Sequence, residues 1–305
     1  MSDNSSKGLI NMKNLLTSLF LLMVSGLFAK GLPLKADGRT IHVVSHRGDW
    51  QVAPENSMGA FRAAIQAGVT ILETDVRLTQ DGHCVLLHDA TLDRTTTGRG
   101  LLAQMTLDEV QTLRLRDALG TTTAESIPTL RDALLLAKAH GVYLYLDKAG
   151  VNNGEAIPAI LAVAKELDAL DRLIFVLNWP YGKAKAVFGE DLERVGYCPV
   201  IADDIPNLEA YVETWLTQAT PFAFQFRFKQ LDSKSYTLLP KILDTSVRAF
   251  IAATWSTHTA GHDDRASLLT HPDAGWGWLL EQGFTLIETN HPRALLHYLA
   301  TRPTE

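Results

Sequence analysis

The segment "VTILETDVRL" (69–78) is an apolar, β-branched run that two carboxylates interrupt. The run predicts a β-strand, because Val, Ile and Thr are favoured in strands. Glu73 and Asp75 are two residues apart, so on a strand both side chains point the same way. Two carboxylates on one face repel each other unless a cation or protons lie between them. The segment therefore predicts a strand that carries part of a polar site.

Strands of this kind alternate with amphipathic helical segments from about residue 38 onward. The predicted strands are 41–45, 69–76, 83–88, 142–147, 172–177, 196–201, 221–226, 248–254 and 284–288. The predicted helices are 57–67, 129–140, 155–168, 206–218, 234–243 and 276–282. This alternation implies parallel pairing, with helices covering the strands. About eight repeats in roughly 250 residues favour a (β/α)₈ TIM-type barrel over an open doubly wound sheet.

Two segments depart from the alternation. Between Asp75 and His88 there is no room for a crossover helix, so the "TQDG" turn (79–82) predicts a tight reversal or a helix-free connection. Residues 90–126 carry no clear strand before the next unit begins at "IPTL" (127–130). We interpret them as a small insertion after the third strand. It would pack over one rim of the barrel, where functional loops usually lie.

The composition is that of an ordinary globular protein. The 305 residues carry a net charge of −6, with 46% hydrophobic and 20% charged residues. A mild acidic excess without a Lys/Arg run argues against nucleic acid as a partner. It allows an anionic small-molecule substrate, because a local site can be cationic on an acidic protein. Cys84 and Cys198 each lie in an apolar strand-like run, which favours two buried free thiols over a disulfide.

Residues 1–37 are predicted to be a leader that precedes the barrel domain (38–305). Within the leader, "MKNLLTSLFLLMVSGLFA" (12–29) has a lysine, then an apolar stretch, then small residues near its end. The uncharged part, 14–29, is shorter than the ~20 apolar residues of a membrane-spanning helix. The pattern is typical of a secretory signal, with an uncleaved membrane anchor as the alternative. The prediction is an exported protein, periplasmic in a Gram-negative source.

Polar side chains occupy the ends of four predicted strands. They are His46 and Arg47, Glu73 and Asp75, His88 and Asp89, and Asp147 and Lys148. In a barrel of this type the carboxyl ends of the strands meet on one face, where catalytic groups collect. Each pair alone has an ordinary structural explanation, such as a surface ion pair. Their joint occurrence at strand ends predicts a single site.

The residue types of this site indicate phosphodiester cleavage. Oxygen ligands without cysteine favour a hard divalent cation, Mg²⁺ or Ca²⁺, over zinc. Arg47 and Lys148 can bind the non-bridging oxygens of a phosphate. His46 and His88 can serve as acid and base, because histidine ordinarily titrates near neutrality. Motifs of several other chemistries, such as Cys-x-x-Cys, Gly-x-Ser-x-Gly, His-Glu-x-x-His and the P-loop, do not occur in the sequence.

Six short motifs, in their order and spacing, resemble the glycerophosphodiester phosphodiesterase family. They are "HRG" (46–48), "PEN" (54–56), "ETD" (73–75), "TQDG" (79–82), "LLHD" (86–89) and "DRTTTGRG" (93–100). The resemblance runs from residue 41 to about residue 148. It returns more loosely at "FIAATW" (250–255) and "TLIETNHPRALLHYL" (285–299). It implies a (β/α)₈ barrel with a small insertion after the histidine-bearing third strand.

The resemblance also implies a role for each matching residue. His46 and His88 match the acid/base pair of the family, and Arg47 matches its phosphate contact. Glu73 and Asp75 match two ligands of one divalent cation. Glu55 lies in the Pro-Glu-Asn motif and matches a residue that supports the site. Which histidine is the acid, and whether the cation is Ca²⁺ or Mg²⁺, stay open at this point.

The fourth strand departs from the family pattern. The family usually has a carboxylate and a lysine separated by one residue, whereas Asp147 and Lys148 are adjacent here. Alignment on the lysine would put Leu146 at the ligand position. Either Asp147 is the third metal ligand and the strand ends in a twist, or water completes the metal shell. We favour the first interpretation, in which Lys148 contacts the phosphate.

The C-terminal half supplies fewer candidates. "HTAGHDD" (258–264) looks like a metal cluster, but the ligand count is met elsewhere, so we interpret it as a polar rim loop without a ligand role. Trp255, at the end of a strand, is expected to form a wall against the glycerol of the substrate. The aromatic run "PFAFQFRF" (221–228) is predicted to be core, with no role assigned to Gln225 or Arg227.

The predicted function is that of a metal-dependent phosphodiesterase that converts a glycerophosphodiester, such as glycerophosphocholine, to glycerol 3-phosphate and an alcohol. One alternative is a lysophospholipase D-like hydrolase of lipid phosphodiesters. An exposed apolar face on the amphipathic segment 101–115 would favour that alternative, together with peripheral membrane contact. Another alternative is a catalytically inactive barrel that binds glycerol phosphates. The intact histidine pair argues against it, because binding alone needs no acid/base couple.

Overall fold

The computed structural model describes residues 40–302, which form a closed barrel of parallel strands. The strands of the barrel are β1 (His42–Ser45), β2 (Ile71–Leu78), β4 (Tyr143–Asp147), β5 (Leu173–Leu177), β6 (Gly196–Ala202), β7 (Ala223–Arg227), β8 (Arg248–Ala252) and β9 (Leu286–Thr289). Strand β1 closes the ring by pairing in parallel with both β2 and β9. The predicted (β/α)₈ architecture is confirmed. The predicted leader (1–37) lies outside the described residues.

Helices follow the strands and cover the outside of the barrel. The longer ones are α1 (Met58–Ala67), α3 (Leu130–His140), α4 (Ile157–Glu166), α5 (Tyr181–Phe188), α6 (Leu208–Gln218) and α11 (Pro292–Thr301). The shorter ones are α2 (Leu107–Gln111), α7 (Lys234–Thr237), α8 (Leu239–Leu243), α9 (Asp264–Leu269) and α10 (Trp276–Glu281). The prediction missed α2, α5, α9 and α11. Between residues 40 and 302, no helix has the length and apolarity needed to cross a bilayer.

The helices begin and end at local sequence signals. The Ser57 hydroxyl caps α1, and Thr129 and Asp132 form a reciprocal capping box at the start of α3. Both helices end at a glycine in the left-handed conformation, Gly68 (φ 103°) and Gly141 (φ 68°). This conformation is sterically unstrained for glycine, because glycine has no Cβ. These signals end each helix a few residues before the strand that follows it in the chain.

Strand β2 is longer than its neighbours and extends beyond its pairing with β4. Residues 71–75 pair in parallel with β4, whereas residues 76–78 pair antiparallel with β3 (Cys84–Leu86). The turn between β2 and β3 is closed by the Thr79 N–H, which donates to the His83 carbonyl at 3.0 Å. The predicted helix-free connection is confirmed. It accounts for the ninth strand, because β3 extends β2 at the rim and is no part of the ring.

Strand β3 and the residues that follow it have a small hydrophobic core of their own. It consists of Val85, Leu87, Leu92, Leu102, Val110, Leu115 and Ile127. Leu102, Val110 and Leu115 are each at most 1% exposed, so the apolar face of segment 101–115 packs inside this cluster. Helix α2 is the only α-helix of the segment. The limits 90–126 of the insertion stay a prediction.

The apolar side chains of the barrel form an inner and an outer layer. Strand β7 shows the alternation: Phe224 and Phe226 belong to the outer layer against the helices, whereas Gln225 lies between them on the inner face. The aromatic run is therefore core, as predicted. Cys84 and Cys198 are buried and unpaired. The inner layer fills the barrel below the site with side chains such as Tyr145 and Phe250, which pack edge to face.

Candidate active site

The carboxyl ends of the barrel strands surround a cavity of about 280 Å³. The cavity is lined by His46, Arg47, His88, Tyr145, Asp147, Lys148, Gln225, Arg227, Ala252, Trp255, His258 and Glu288. Glu73, Asp75 and Glu55 adjoin it through their contacts with Arg47. The structure therefore brings together every side chain that the sequence placed in the site, including Trp255, which is 54% exposed at the rim.

Three carboxylates form a group that fits a divalent cation. One oxygen from each of Glu73, Asp75 and Asp147 lies within 4.8 Å of the other two. The Oδ1 atom of Asp75 is buried and has no hydrogen-bond partner among the described residues. A buried carboxylate oxygen without a hydrogen bond is unfavourable. An all-oxygen donor set around such an atom fits Mg²⁺ or Ca²⁺.

Asn56, the last residue of the Pro-Glu-Asn motif, fixes the orientation of Asp75. Its Nδ2 donates to Asp75 Oδ2 at 2.9 Å, and its Oδ1 accepts from the Asp75 N–H at 3.2 Å and from the Thr74 hydroxyl at 2.7 Å. The residue is fully buried. Sequence reasoning quoted the motif but assigned a role only to Glu55, because nothing in the spacing shows that Asn56 reaches the next strand.

Arg47 reaches the site because its backbone is in the left-handed region (φ 55°). Its N–H donates to Glu73 Oε2 at 2.7 Å. Its guanidinium donates from Nη1 to Glu55 Oε1 at 3.1 Å, and its Nε lies 3.4 Å from Asp75 Oδ2. The left-handed turn directs two consecutive side chains, those of His46 and Arg47, to one cavity.

The tautomer of His46 is set by a pair of hydrogen bonds to one oxygen. Asn290 Oδ1 lies 3.2 Å from Trp50 Nε1, which can only donate, and 2.7 Å from His46 Nδ1. His46 Nδ1 therefore carries a proton, and Nε2 is the free nitrogen, 4.0 Å from Glu73 Oε2. Burial, followed by the charge of Arg47, lowers the pKa of His46 to about 4. The imidazole is thus neutral at neutral pH.

His88 is oriented by a carboxylate that an arginine holds in place. Its Nδ1 lies 2.6 Å from Asp89 Oδ1. Arg94 donates to both Asp89 oxygens, at 2.8 and 2.9 Å, and to both Glu55 oxygens, at 2.7 and 2.8 Å. The hydrogen bonds of Arg94 lower the pKa of Asp89. Through Glu55, which also contacts Arg47, one arginine of the insertion connects both halves of the site.

The end of β4 is twisted as the favoured interpretation requires. Leu146 is fully buried in the outer layer, so Asp147 is directed to the cavity. Lys148 then adopts a left-handed backbone (φ 60°), which returns its side chain to the same side. Its Nζ lies 2.7 Å from Asp147 Oδ2 and 3.7 Å from Asp75 Oδ1. Although burial opposes it, the charge of Lys148 lowers the pKa of Asp147.

A fourth carboxylate, that of Glu288 on β9, also faces the cavity. It is 5% exposed, and burial, followed by the charge of Asp147, raises its pKa to about 8. Burial and the charges of Asp75 and Glu288 raise the pKa of Glu73 well above its usual value. Sequence reasoning missed Glu288. The available signal was "LIETN", a carboxylate inside an apolar strand, as in "ILETD".

Residues of strands β7 and β8 form another part of the wall of the cavity. Arg227 donates from Nε and Nη2 to Gln225 Oε1, at 3.1 and 2.9 Å. A neighbouring cavity of about 360 Å³ shares Arg227 and His258 with the main one. Sequence reasoning left Gln225 and Arg227 unassigned, and the structure places both in the site.

The "HTAGHDD" segment is only partly the rim loop that was expected. His258 lines the cavity, and His262 stacks on Trp278 with ring centres 3.8 Å apart. Asp264, in contrast, is buried, and its carboxylate accepts from the Asn290 N–H at 2.8 Å. It thereby holds the residue that fixes the tautomer of His46. The loop interpretation was wrong for Asp264, which begins helix α9, because the local sequence does not reveal its long-range partner.

Comparison with known proteins places most of this site in one family model. Residues 46–173 match the model described as the glycerophosphoryl diester phosphodiesterase family. Residues 197–299 match a second model, described as a domain of unknown function. The first match contains both histidines, Arg47 and the three carboxylates of the metal-binding group. Glu288 and Asn290 lie in the second.

Curated relatives match the chain over the same N-terminal part. A glycerophosphodiester phosphodiesterase of Caldanaerobacter subterraneus is 44% identical over 95 residues, which is 31% of this chain and 39% of the relative. The human glycerophosphodiester phosphodiesterase 1 is 39% identical over 116 residues, 36% of this chain and 34% of the relative. The matched segments thus span little more than a third of these relatives.

Solved structures extend the likeness to nearly the whole fold. A glycerophosphoryl diester phosphodiesterase of Parabacteroides distasonis superposes with a TM-score of 0.71 at 22% identity, over 88% of this chain and 90% of that one. A phosphodiesterase of Oleispira antarctica, in complex with the product sn-glycerol-3-phosphate, gives 0.61 at 23% identity, over 85% and 97%. The site motifs and the family model together show that residues 46–173 are a glycerophosphodiester phosphodiesterase family domain, and the solved structures show that the whole barrel has the same fold.

Proposed function

We propose that this protein hydrolyses glycerophosphodiesters, such as glycerophosphocholine, to glycerol 3-phosphate and an alcohol. One observation carries the proposal: two histidines, each with one ring nitrogen fixed by a hydrogen bond, share a cavity with Arg47, Lys148 and a carboxylate group that fits a divalent cation. The names of the relatives support the reaction class. The product-bound Oleispira antarctica structure supports glycerol 3-phosphate as the product.

The two histidines would exchange the protons of the reaction. His46 is neutral and has Nε2 free, so it suits the base that takes a proton from the nucleophile, which is water or the 2-hydroxyl of the glycerol. If the 2-hydroxyl attacks, a cyclic phosphate forms, and a water molecule then opens it to give glycerol 3-phosphate. As the nucleophile bonds to phosphorus, the bond to the alcohol oxygen breaks. His88, held by Asp89 through Nδ1, would give the leaving oxygen a proton from its other nitrogen.

Charged groups of the chain would bind the phosphate. Arg47 can bind two non-bridging oxygens with its planar fork, and Lys148 can add a point charge. Glu73, Asp75 and Asp147 would hold one Ca²⁺ or Mg²⁺ ion. A bound cation of this kind supplies Lewis-acid polarisation of a phosphoryl oxygen. The pairing of Arg47 with Glu55 keeps its guanidinium at the cavity before substrate arrives.

The structure favours a water-soluble diester over a lipid. The lipid alternative requires an exposed apolar face on segment 101–115, but Leu102, Val110 and Leu115 of that segment pack in the small core after β3, and Leu101 is the one large apolar residue of the segment that is exposed. The inactive-barrel alternative has no supporting observation, since both histidines and their orienting partners are in place.

A coupled assay for glycerol 3-phosphate tests the proposal. We expect release of glycerol 3-phosphate from a panel of glycerophosphodiesters in the presence of Mg²⁺ or Ca²⁺, and loss of that release in EDTA. Lysophospholipids should be poorer substrates than glycerophosphocholine at equal concentration. Tight binding of glycerol 3-phosphate without turnover of any diester would establish the inactive-barrel alternative instead.

Separate roles for Asp147 and Lys148 give a further prediction. Asp147→Asn should weaken binding of the divalent cation, because one charged oxygen ligand is lost, whereas Lys148→Met should lower kcat and leave cation binding nearly unchanged. Isothermal titration with Mg²⁺ and steady-state kinetics separate the two effects. Lys241→Met, at an exposed lysine of α8, is the control and should change neither. Equal loss of cation affinity in both site variants would contradict the division of roles.

Arg94 is predicted to position the site without touching the substrate. Arg94→Met should lower kcat by about 10- to 100-fold, the effect of losing a residue that orients a reacting group, with little change in cation affinity. Arg94→Lys should restore little, because a lysine lacks the fork that holds Asp89 and Glu55 together. Arg99→Met, at an exposed arginine of the same motif, is the matched control. A higher KM with an unchanged kcat would instead assign Arg94 to substrate binding.

We propose further that the protein is exported from the cytoplasm. It is supported by the composition of residues 12–29, which resembles a secretory signal. Expression of the full chain in a Gram-negative host, followed by fractionation and N-terminal sequencing of the protein, is the test. Recovery of the intact N-terminus in the cytoplasmic fraction would contradict export.

A further inference from the structure

The Glu288 carboxylate is buried in the cavity without a partner. It is 5% exposed and lines the cavity, yet within residues 40–302 its carboxylate makes no hydrogen bond or ion pair. Arg227, the cation on the neighbouring wall, donates instead to Gln225. A buried carboxylate normally has hydrogen bonds, an ion pair or a metal, since isolation in a protein interior is strongly unfavourable. Its place therefore points to a ligand that binds between Glu288 and its neighbours.

Those neighbours are metal-binding groups. One ligand atom from each of His46, Glu73 and Glu288 lies within 4.8 Å of the others. This group shares Glu73 with the carboxylate group Glu73, Asp75 and Asp147 but is otherwise distinct from it. Adjacent cation sites with centres about 3.5–4 Å apart are common in proteins that bind two metals.

His46 is already arranged as a metal-binding histidine. Its Nδ1–H donates to Asn290 Oδ1, and Trp50 donates to the same oxygen, which fixes that oxygen as an acceptor. Its free Nε2 lies on the side of Glu73. Metal-binding histidines usually donate their second ring N–H to a carbonyl or carboxylate oxygen in this way, which fixes the direction of the lone pair.

The two groups differ in the metal that their atoms prefer. The first has oxygen ligands only, which suit Mg²⁺ or Ca²⁺. The second has one imidazole nitrogen and two carboxylates, and imidazole favours zinc and related transition metals. We propose that His46, Glu73 and Glu288 form a second, zinc-binding site, and that zinc bound there inhibits the protein. The inhibition rests on the proposed function, because zinc would occupy the nitrogen of His46 that takes the proton.

Zinc binding can be measured without turnover. The full chain is saturated with Mg²⁺ and titrated with ZnCl₂ by calorimetry, and both metals are counted after dialysis. We expect one zinc in addition to the magnesium. Glu288→Gln should weaken zinc binding by at least about 100-fold, since loss of a direct ligand exceeds the 10- to 100-fold cost of losing an outer partner. Thermal unfolding checks that this variant folds.

A matched control removes a surface pair that could also bind zinc. His271 and Asp273 are exposed, with Nδ1 and Oδ2 3.3 Å apart. His271→Gln should leave the second zinc in place. If this variant, and not Glu288→Gln, lost the zinc, the proposed site would be overturned. Displacement of magnesium by zinc with one metal in total would overturn it as well.

A measurement on the unaltered protein removes dependence on variants. Zinc-edge X-ray absorption of the Mg²⁺-saturated chain with one equivalent of zinc should show one imidazole among the nearest ligands, and an all-oxygen shell would overturn the site.

Inhibition by zinc is tested by comparing the rate of each protein with its own zinc-free rate. Zinc should inhibit the wild-type protein, and Glu288→Gln should need at least about 100-fold more zinc for the same fractional loss.

The outcomes separate this inference from the proposed function. Hydrolysis by the zinc-free Mg²⁺ form, without any zinc binding that depends on Glu288, would leave the function standing and overturn the second site. Zinc binding through Glu288 in a protein that hydrolyses no diester would support the site and overturn its inhibitory role.

Discussion

Replacement of His46 or His88 by alanine is expected to lower kcat by about 10²- to 10⁴-fold, the usual contribution of one general acid or base. The fold should be retained, because neither ring belongs to the hydrophobic core. Steady-state kinetics with a glycerophosphodiester, together with thermal unfolding, measure the two effects. If either variant kept near wild-type activity, that histidine would be a structural residue of the strand end.

The pH dependence distinguishes the two histidines. A bell-shaped profile is expected from one base and one acid. Because burial, and then Arg47, lowers the pKa of His46 to about 4, its neutral form dominates above that pH and is lost below it. If His46 is the base, the acidic limb should lie near pH 4, and His46→Ala should remove that limb only. His88→Ala should remove the alkaline limb. His83→Ala, at an exposed histidine of the β2–β3 turn, is the control.

Loss of the metal-binding carboxylates is expected to have the second large effect. Glu73→Ala and Asp75→Ala should each reduce binding of Mg²⁺ or Ca²⁺, and kcat/KM should fall by at least about 100-fold, because loss of a direct ligand exceeds the effect of losing an outer partner. The fold should persist, because two buried carboxylates that repel each other do not stabilise it in the absence of a cation, so removal of one should not lower the stability. Titration calorimetry and kinetics provide the measurements.

Chelation offers a test that needs no substitution. Excess EDTA should abolish activity, and Mg²⁺ or Ca²⁺ should restore it. Glu190→Gln, at an exposed carboxylate far along the chain from β2, is the control for the alanine variants. Full activity in EDTA would refute metal dependence. Unfolding of both alanine variants at room temperature would make the pair structural, in which case the chelation result alone decides.

Sequence alone determined the fold and the members of the site that lie at strand ends. Strand and helix periods are local properties, so β1 to β9 and most helices could be predicted without knowledge of contacts. The carboxyl ends of parallel strands meet on one face, so the barrel architecture was enough to predict that residues from β1, β2 and β4 converge. The hairpin β2–β3 followed from a connection too short for a helix.

Tertiary structure decided which partners orient those residues. His46 and Asn290 are 244 positions apart, and Arg94 reaches Glu55 across 39 positions. No local pattern encodes such pairs, because a hydrogen bond depends on where the folded backbone places two atoms and not on their spacing in the chain. For the same reason the buried Glu288 was missed: a carboxylate in an apolar strand acquires its chemical meaning only from the groups that the closed barrel brings opposite to it.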